Sequence, residues 1–319
     1  MKLSSLAKIC YKPLGEKGED AFAYNLSRND IHTIAVFDGC GGAGAWKYQE
    51  FMDSTGAFIA AQAVANSFLS WFNSVSLESL SNVDSLSNSF MEESHSLLVK
   101  LKNYCAPMGV SGSLIKSFPC TASIALVSQA NDDALVLTAL NAGDSRVYFL
   151  TPSNGLVQIT NDDSRGHPDP LDSLRDNAPL SNMLNADKAY VIKSRQVKLM
   201  YPCAVICATD GAFGYVRSPM DFEHLLLKSL LEANSIEEFE KILQSAIVAI
   251  TGDDSTLLMA FYGYNDYSSI KTSLSHRFES VDKIIQTINS AQTPEEEDSI
   301  IREQWKLYKK YTVFDEMRG

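Results

Sequence analysis

Four times along this chain an acidic turn lies at one end of an apolar, β-like run. The four are Ile34-Ala-Val-Phe-Asp38-Gly39, Leu140-Asn-Ala-Gly143-Asp144-Ser145, Ile206-Cys-Ala-Thr-Asp210-Gly211, and Gly252-Asp253-Asp254-Ser255-Thr256 ahead of Leu257-Leu-Met-Ala-Phe-Tyr262. Two readings follow. Asp-Gly and Gly-Asp after a β run are ordinary hairpin-turn chemistry wherever φ must become positive. If instead the strands join one sheet system, their carboxylates converge, repel one another and need a cation. Gly18-Glu19-Asp20 near the N-terminus enlarges the set. Carboxylates scattered on short turns are how oxygen-ligand sites for hard ions such as Mg²⁺ or Mn²⁺ are assembled.

The chain has 319 residues, enough for one large domain or one domain with an appendage. Hydrophobic residues make up 45% and charged residues 21%, a globular balance. With 39 acidic and 27 basic side chains the net charge is −12, which argues against a nucleic-acid backbone or an anionic membrane as partner. Lys306, Lys309 and Lys310 share a segment with Glu295, Glu296 and Glu297 and read as a solvated helix face. The six cysteines include no C-x-x-C pair and read as reduced, mostly core thiols. No apolar stretch is long enough for a signal peptide or a membrane helix, so a cytoplasmic protein is expected.

Ala21–Tyr24 and Thr33–Phe37 read as a hairpin. Helical spacing of apolar residues runs from Glu50 to Phe72 and again through Leu86, Phe90, Leu97 and Leu101. Strands at 121–127, 134–140 and 146–150 read as a meander, and residues 161–185 as a surface loop or flap with a short helix. Strands at 188–197 and 204–209 precede helices near 221–233 and 236–250. Beyond Tyr262 the character changes. Thr293-Pro-Glu-Glu-Glu297 is a helix start, and a two-helix tail is expected.

The ordered series Gly18-Glu19-Asp20-Ala21, Val36-Phe37-Asp38-Gly39-Cys40-Gly41-Gly42, Asn141-Ala-Gly143-Asp144-Ser145-Arg146, Ala208-Thr209-Asp210-Gly211 and Asp253-Asp254-Ser255-Thr256 resembles the metal-dependent protein phosphatases of the protein phosphatase 2C family, in its bacterial-like branch. The match runs from about residue 10 to 262. The resemblance implies an α+β fold, a four-layer α-β-β-α sandwich of two antiparallel sheets. It would form a catalytic domain over 1–262, followed by a helical extension over 263–319.

By motif position, Asp38 would bridge two Mn²⁺ or Mg²⁺ ions. Glu19 and the Gly39 carbonyl would lie on one side, Asp210 and Asp253 on the other. Asp20 would hold metal-bound water, and Asp144 matches a position that helps bind a third ion in some members. A hydroxide bridging the ions would then attack phosphorus in line, hydrolysing phosphoserine or phosphothreonine in a phosphoprotein.

The chain departs from the family in three places. An arginine often precedes the Glu-Asp pair; here the neighbourhood is Leu14-Gly15-Glu16-Lys17, leaving Lys17 to meet the substrate phosphate. Gly214 stands where an acidic residue often follows the Asp-Gly pair, and Cys40 where many members carry histidine. The alternatives are a pseudophosphatase or regulatory binding module on the same fold, and a hydrolase of small phosphoesters. In the tail, Ile284, Ile285 and Ile288 form one apolar face and Ile300, Ile301, Trp305 and Tyr308 another. These faces either dock on the sandwich or serve a partner or a second copy of the chain.

Overall fold

A computed structural model describes residues 1–13, 15, 18–105, 115–164, 169–175 and 179–312, with side chains through 309. Two five-stranded antiparallel sheets form its centre. One contains β1 (Leu3–Tyr11), β8 (Arg146–Thr151), β9 (Gly155–Gln158), β11 (Cys203–Ala208) and β12 (Ser255–Tyr262), in the order β1-β12-β11-β8-β9. The other contains β2 (Ala21–Asn25), β3 (Ile31–Phe37), β6 (Ala122–Asn131), β7 (Ala134–Ala142) and β10 (Lys193–Met200), in the order β10-β7-β6-β3-β2. A small ribbon pairs β4 (Lys47–Tyr48) with β5 (Ser54–Thr55).

Alternation within the strands assigns the layers. In β11, Cys203, Val205 and Cys207 point between the sheets, where they meet Ile34, Val36, Val127, Leu137 and Phe149. Ala204, Ile206 and Ala208 of the same strand point the other way, into a cluster shared with the helices of the opposite flank. This period of two is what a strand buried on both faces requires, and it makes the central strands continuous apolar runs. Each fully buried Leu, Ile, Val or Phe contributes about 1.5–3 kcal/mol relative to exposure.

Helices α1 (Gly56–Ser74) and α2 (Val83–Tyr104) cover the second sheet. Phe68 of α1 packs 5.8 Å from Phe37 and edge-on to Phe90 of α2 at 5.9 Å. The expected helix from Glu50 begins later, because the β4–β5 ribbon intervenes and Met52 and Asp53 have φ of 53° and 58°. Thr55 then caps α1 by accepting the Phe58 N–H.

The expected meander is corrected as well. β6 and β7 pair as read, with Ala122 opposite Ala142, but β8 joins the other sheet, beside β11. The crossing is made at Gly143, whose φ of +99° suits glycine and leaves no room for a Cβ against the Thr121 side chain. The strand expected from Lys188 begins only at Lys193. Two edge strands, β1 and β9, were not anticipated from sequence.

On the far flank lie α3 (Pro170–Ser173), α4 (Asp210–Phe213), α5 (Pro219–Glu232), α6 (Ile236–Val248), α7 (Tyr267–Asn289) and α8 (Pro294–Thr312). The architecture is therefore the four-layer α-β-β-α sandwich. Ile285 and Ile288 of α7, and Ile301, Trp305 and Tyr308 of α8, are buried in the cluster that contains Leu226 and Phe261. The core of this contact is ionic. Arg277 of α7 donates to both oxygens of the fully buried Glu223 at 2.7 Å each, and Tyr308 donates to the same carboxylate. Among the described residues, no helix is long and apolar enough to cross a membrane.

Candidate metal centre

The acidic turns meet at one end of the sandwich. Asp38 follows β3 directly, and its position is held by a two-way link to Thr121. The Asp38 N–H donates to Thr121 Oγ1 at 3.2 Å, and the Thr121 N–H donates to the Asp38 carbonyl at 2.7 Å. Asp144 occupies the Gly143 crossing, and Asp210 opens α4 at the end of β11. Asp253 lies on the loop entering β12, and Glu19 on the approach to β2. Glu19, Asp38, Gly39, Asp144, Asp210 and Asp253 all line one cleft of about 780 Å³, joined there by Asp254. Crowding requires glycine at Gly39, while Gly41 leaves room for the end of the Glu19 side chain. A Cβ on Gly39 would stand 2.7 Å from the Ala57 carbonyl, and one on Gly41 would strike Glu19 Oε2.

Asp20 is placed differently, beneath the cleft floor at 1% exposure. Its Oδ2 accepts from Thr209 Oγ1 at 2.8 Å, while its carbonyl accepts from Lys12 Nζ at 2.7 Å. Lys17 lies outside the described residues. Asp254, in the motif Asp253-Asp254-Ser255-Thr256, has no role that the sequence assigns. Here the Asp254 carboxylate accepts from the backbone N–H of Glu19, tying the two chain segments together.

The field at this end is strongly negative. Burial, then the neighbouring Asp210, Asp20, Asp144 and Asp253, drive the Asp38 carboxyl far above the usual carboxylate range. Burial is likewise the main cause at Asp20, pushed up to about 7, at Asp144, to about 8, and at Asp210, to about 6, where Asp253 adds to it. Burial and Asp38 raise the Cys40 thiol as well, holding it protonated.

Three buried carboxylate oxygens, Asp20 Oδ1, Asp144 Oδ1 and Asp254 Oδ1, have no hydrogen-bond partner. An oxygen that can only accept, kept from water and given no donor, suits a cation. Among the described residues, no three Asp, Glu, His or Cys side chains already close around a single point. The lone acceptor oxygens, rather than a closed ligand cage, are the feature that suits a hard ion. The residues present fit divalent metal ions in this sense.

The nearby Arg146 is already committed. Its guanidinium donates to both oxygens of Asp162, at 2.9 and 2.6 Å, and to Ser173 Oγ at 2.8 Å, and it lies 4.3 Å from the Phe213 ring centroid. Asp163 ties the flap to the crossing turn by accepting the Gly143 N–H at 3.0 Å. Neither aspartate carries a strand-end motif that sequence reading could have picked out.

A family profile described as protein phosphatase 2C matches residues 14–247. The chain belongs to the protein phosphatase 2C family. Solved structures of bacterial serine/threonine phosphatases share its fold. The serine/threonine phosphatase Stp1 from Staphylococcus aureus matches with a TM-score of 0.61 and 19% identity, covering 82% of this chain and 98% of that one. The Mycobacterium tuberculosis phosphatase PstP/Ppp matches with a TM-score of 0.56 and 13% identity, covering 82% and 100%. A PstP catalytic domain solved with two manganese ions matches with a TM-score of 0.53 and 15% identity, covering 82% and 99%. A search of curated protein sequences found no match.

Proposed function

We propose that this protein is a metal-dependent serine/threonine phosphatase that hydrolyses phosphomonoesters on phosphoproteins. The observation that carries the reading is the meeting of carboxylates from five separate chain segments in one open cleft, with buried oxygens that lack any donor. Protein phosphatase 2C membership and the manganese found in the related PstP structure support Mn²⁺ or Mg²⁺ as cofactor. Asp38, Glu19 and the Gly39 carbonyl, with Asp210 and Asp253, would hold two ions, and Asp144 a third. Bound there, the ions would acidify water and offset the charge of the phosphoryl oxygens.

The chain's own groups prepare the site. Thr121 fixes Asp38 from both sides of its peptide, and Thr209 occupies one oxygen of Asp20, leaving the other to face the ions or their water. Cys40 lines the cleft as a protonated thiol, so no covalent phosphoenzyme is assigned to it. We take residues 1–262 as the catalytic domain and 263–319 as an extension docked on its flank. The buried faces of α7 and α8 favour docking over self-association. A cytoplasmic location suits the six unpaired cysteines.

The test is Mn²⁺-dependent phosphate release from a panel of phosphopeptides and small phosphoesters. Turnover of phosphoserine and phosphothreonine peptides supports the reading. Metal binding without turnover would favour a pseudophosphatase, and turnover of small esters alone would favour a different hydrolase.

A further inference from the structure

The cleft has a second wall. Gly39 pairs with Cys120, and Cys120 pairs in turn with Leu184, through N–H···O bonds of 3.1 and 3.0 Å in both directions. This ladder begins one residue past Asp38 and carries two lysines at its far end. Lys116 lies four residues before Cys120, and Lys188 four residues after Leu184, so antiparallel pairing brings them to the same end. Both line the cleft that the carboxylates line.

Their backbones are fixed. The Lys116 N–H donates to the Ala43 carbonyl at 2.8 Å. The N–H groups of Asp187 and Lys188 both donate to Asn185 Oδ1 at 3.0 Å. The one carboxylate between the lysines is already used, since Asp187 accepts from Lys102 Nζ at 2.7 Å and from the Ser117 N–H at 2.6 Å. Neither Lys116 nor Lys188 has a side-chain hydrogen bond or ion pair among the described residues. Among the described residues lining the cleft they are the two cations.

The other cations nearby are engaged elsewhere. Arg146 is locked to Asp162, and Lys12 donates to the Gly18 and Asp20 carbonyls. A phosphate dianion entering an acidic cleft needs positive partners on the side away from the metal ligands, and unpaired lysines are point charges suited to that. We infer that Lys116 and Lys188 together form the phosphate-holding wall of this cleft, contacting the substrate phosphoryl group opposite the carboxylates. The inference rests on the phosphatase reading above.

The experiment compares wild type with Lys116→Ala, Lys188→Ala, the double variant and both Lys→Arg variants; Lys283→Ala on α7 serves as a charge-deletion control. KM and kcat are measured with Mn²⁺ for a phosphopeptide and for p-nitrophenyl phosphate, and inorganic phosphate and Mn²⁺ affinities by calorimetry. Each alanine should weaken phosphate binding by about tenfold, the usual order for one charged contact, and raise KM alike for both substrates. Arginine should restore most of the loss, while Mn²⁺ affinity and the Lys283→Ala values stay at wild type. Unchanged phosphate affinity in the double variant would overturn the inference. So would a KM rise confined to the phosphopeptide, which would move the lysines to the peptide flank. Absent turnover in wild type would sink the phosphatase reading instead, while the phosphate calorimetry would still decide on the lysines.

Discussion

Thr209 and Asp20, 189 residues apart in sequence, meet beneath the cleft through a 2.8 Å hydrogen bond from the threonine hydroxyl to Oδ2. The other oxygen of that aspartate is buried and unpartnered. Half of the carboxylate is thus fixed by the protein and half is left for something the protein does not supply. Such a group is costly while charged and alone, and useful once a cation is near.

A pH dependence of the metal-free protein follows. Burial raises Asp20 to about 7 and Asp144 to about 8, whereas an unfolded aspartate titrates near about 3.9. Both carboxyls bind their proton more tightly in the folded chain. Their stabilisation is therefore full below about pH 4 and is lost as the pH rises through about 7 and then 8. Thermal melts in a chelator should show the midpoint falling by several degrees between about pH 5 and about pH 8.5. Saturating Mn²⁺ should largely restore it at the upper end. A midpoint that rises with pH in chelator would contradict this account of the site.

Replacing Asp38, Asp210 or Asp253 by asparagine should reduce Mn²⁺-dependent phosphate release to background while leaving the fold intact. For Asp38→Asn, the crowding that raises its proton affinity disappears, so the metal-free protein should melt higher than wild type near pH 8. Phosphate-release assays at saturating metal, paired with melts in chelator, check both parts. Wild-type turnover in any of the three removes that residue from the site.

Cys40 lines the cleft but holds its proton, so Cys40→Ser should keep activity within a few-fold. A residue acting as acid or nucleophile would cost on the order of a hundredfold or more. Steady-state kinetics of the serine variant decide the point.

The tail is bound to the sandwich through Glu223, which is fully buried and accepts from Arg277 and Tyr308. Removing the arginine leaves that buried charge without its cationic partner, at a cost of about 3–5 kcal/mol. Arg277→Met should therefore lower the melting temperature well below that of a surface control such as Lys283→Ala. Deleting residues after about 265 should cost solubility, because the apolar flank under α7 and α8 would be exposed. A stable, active deletion variant would show that the flank does not need its cover.

Much of this molecule was legible because its signals are local. Central strands announce themselves as apolar runs bounded by turn residues, and the acidic turns at Asp38, Asp144, Asp210 and Asp253 could be read as a set without knowing any contact. The helix start at Thr293-Pro294 is similarly local chemistry. Strand β1 escaped because it lies at a sheet edge, where half-exposed positions blur the alternation, and β9 because four residues beginning with glycine carry too short a pattern.

The sequence by itself determined the central strands and main helices in their order and which residues end strands in carboxylates, since propensity and period depend on neighbours within a few positions. Only the tertiary structure decided that β7 and β8 part at Gly143 into different sheets, so that Asp144 is carried to the cleft. Only the tertiary structure placed Asp20 under the floor against Thr209, brought Lys116 and Lys188 to the cleft that the carboxylates line, and turned the tail helices onto Glu223. Each of these depends on segments tens to hundreds of residues apart being packed together, and burial, the main cause of the raised Asp20, Asp38, Asp144 and Asp210 carboxyls, does not exist until that packing is complete.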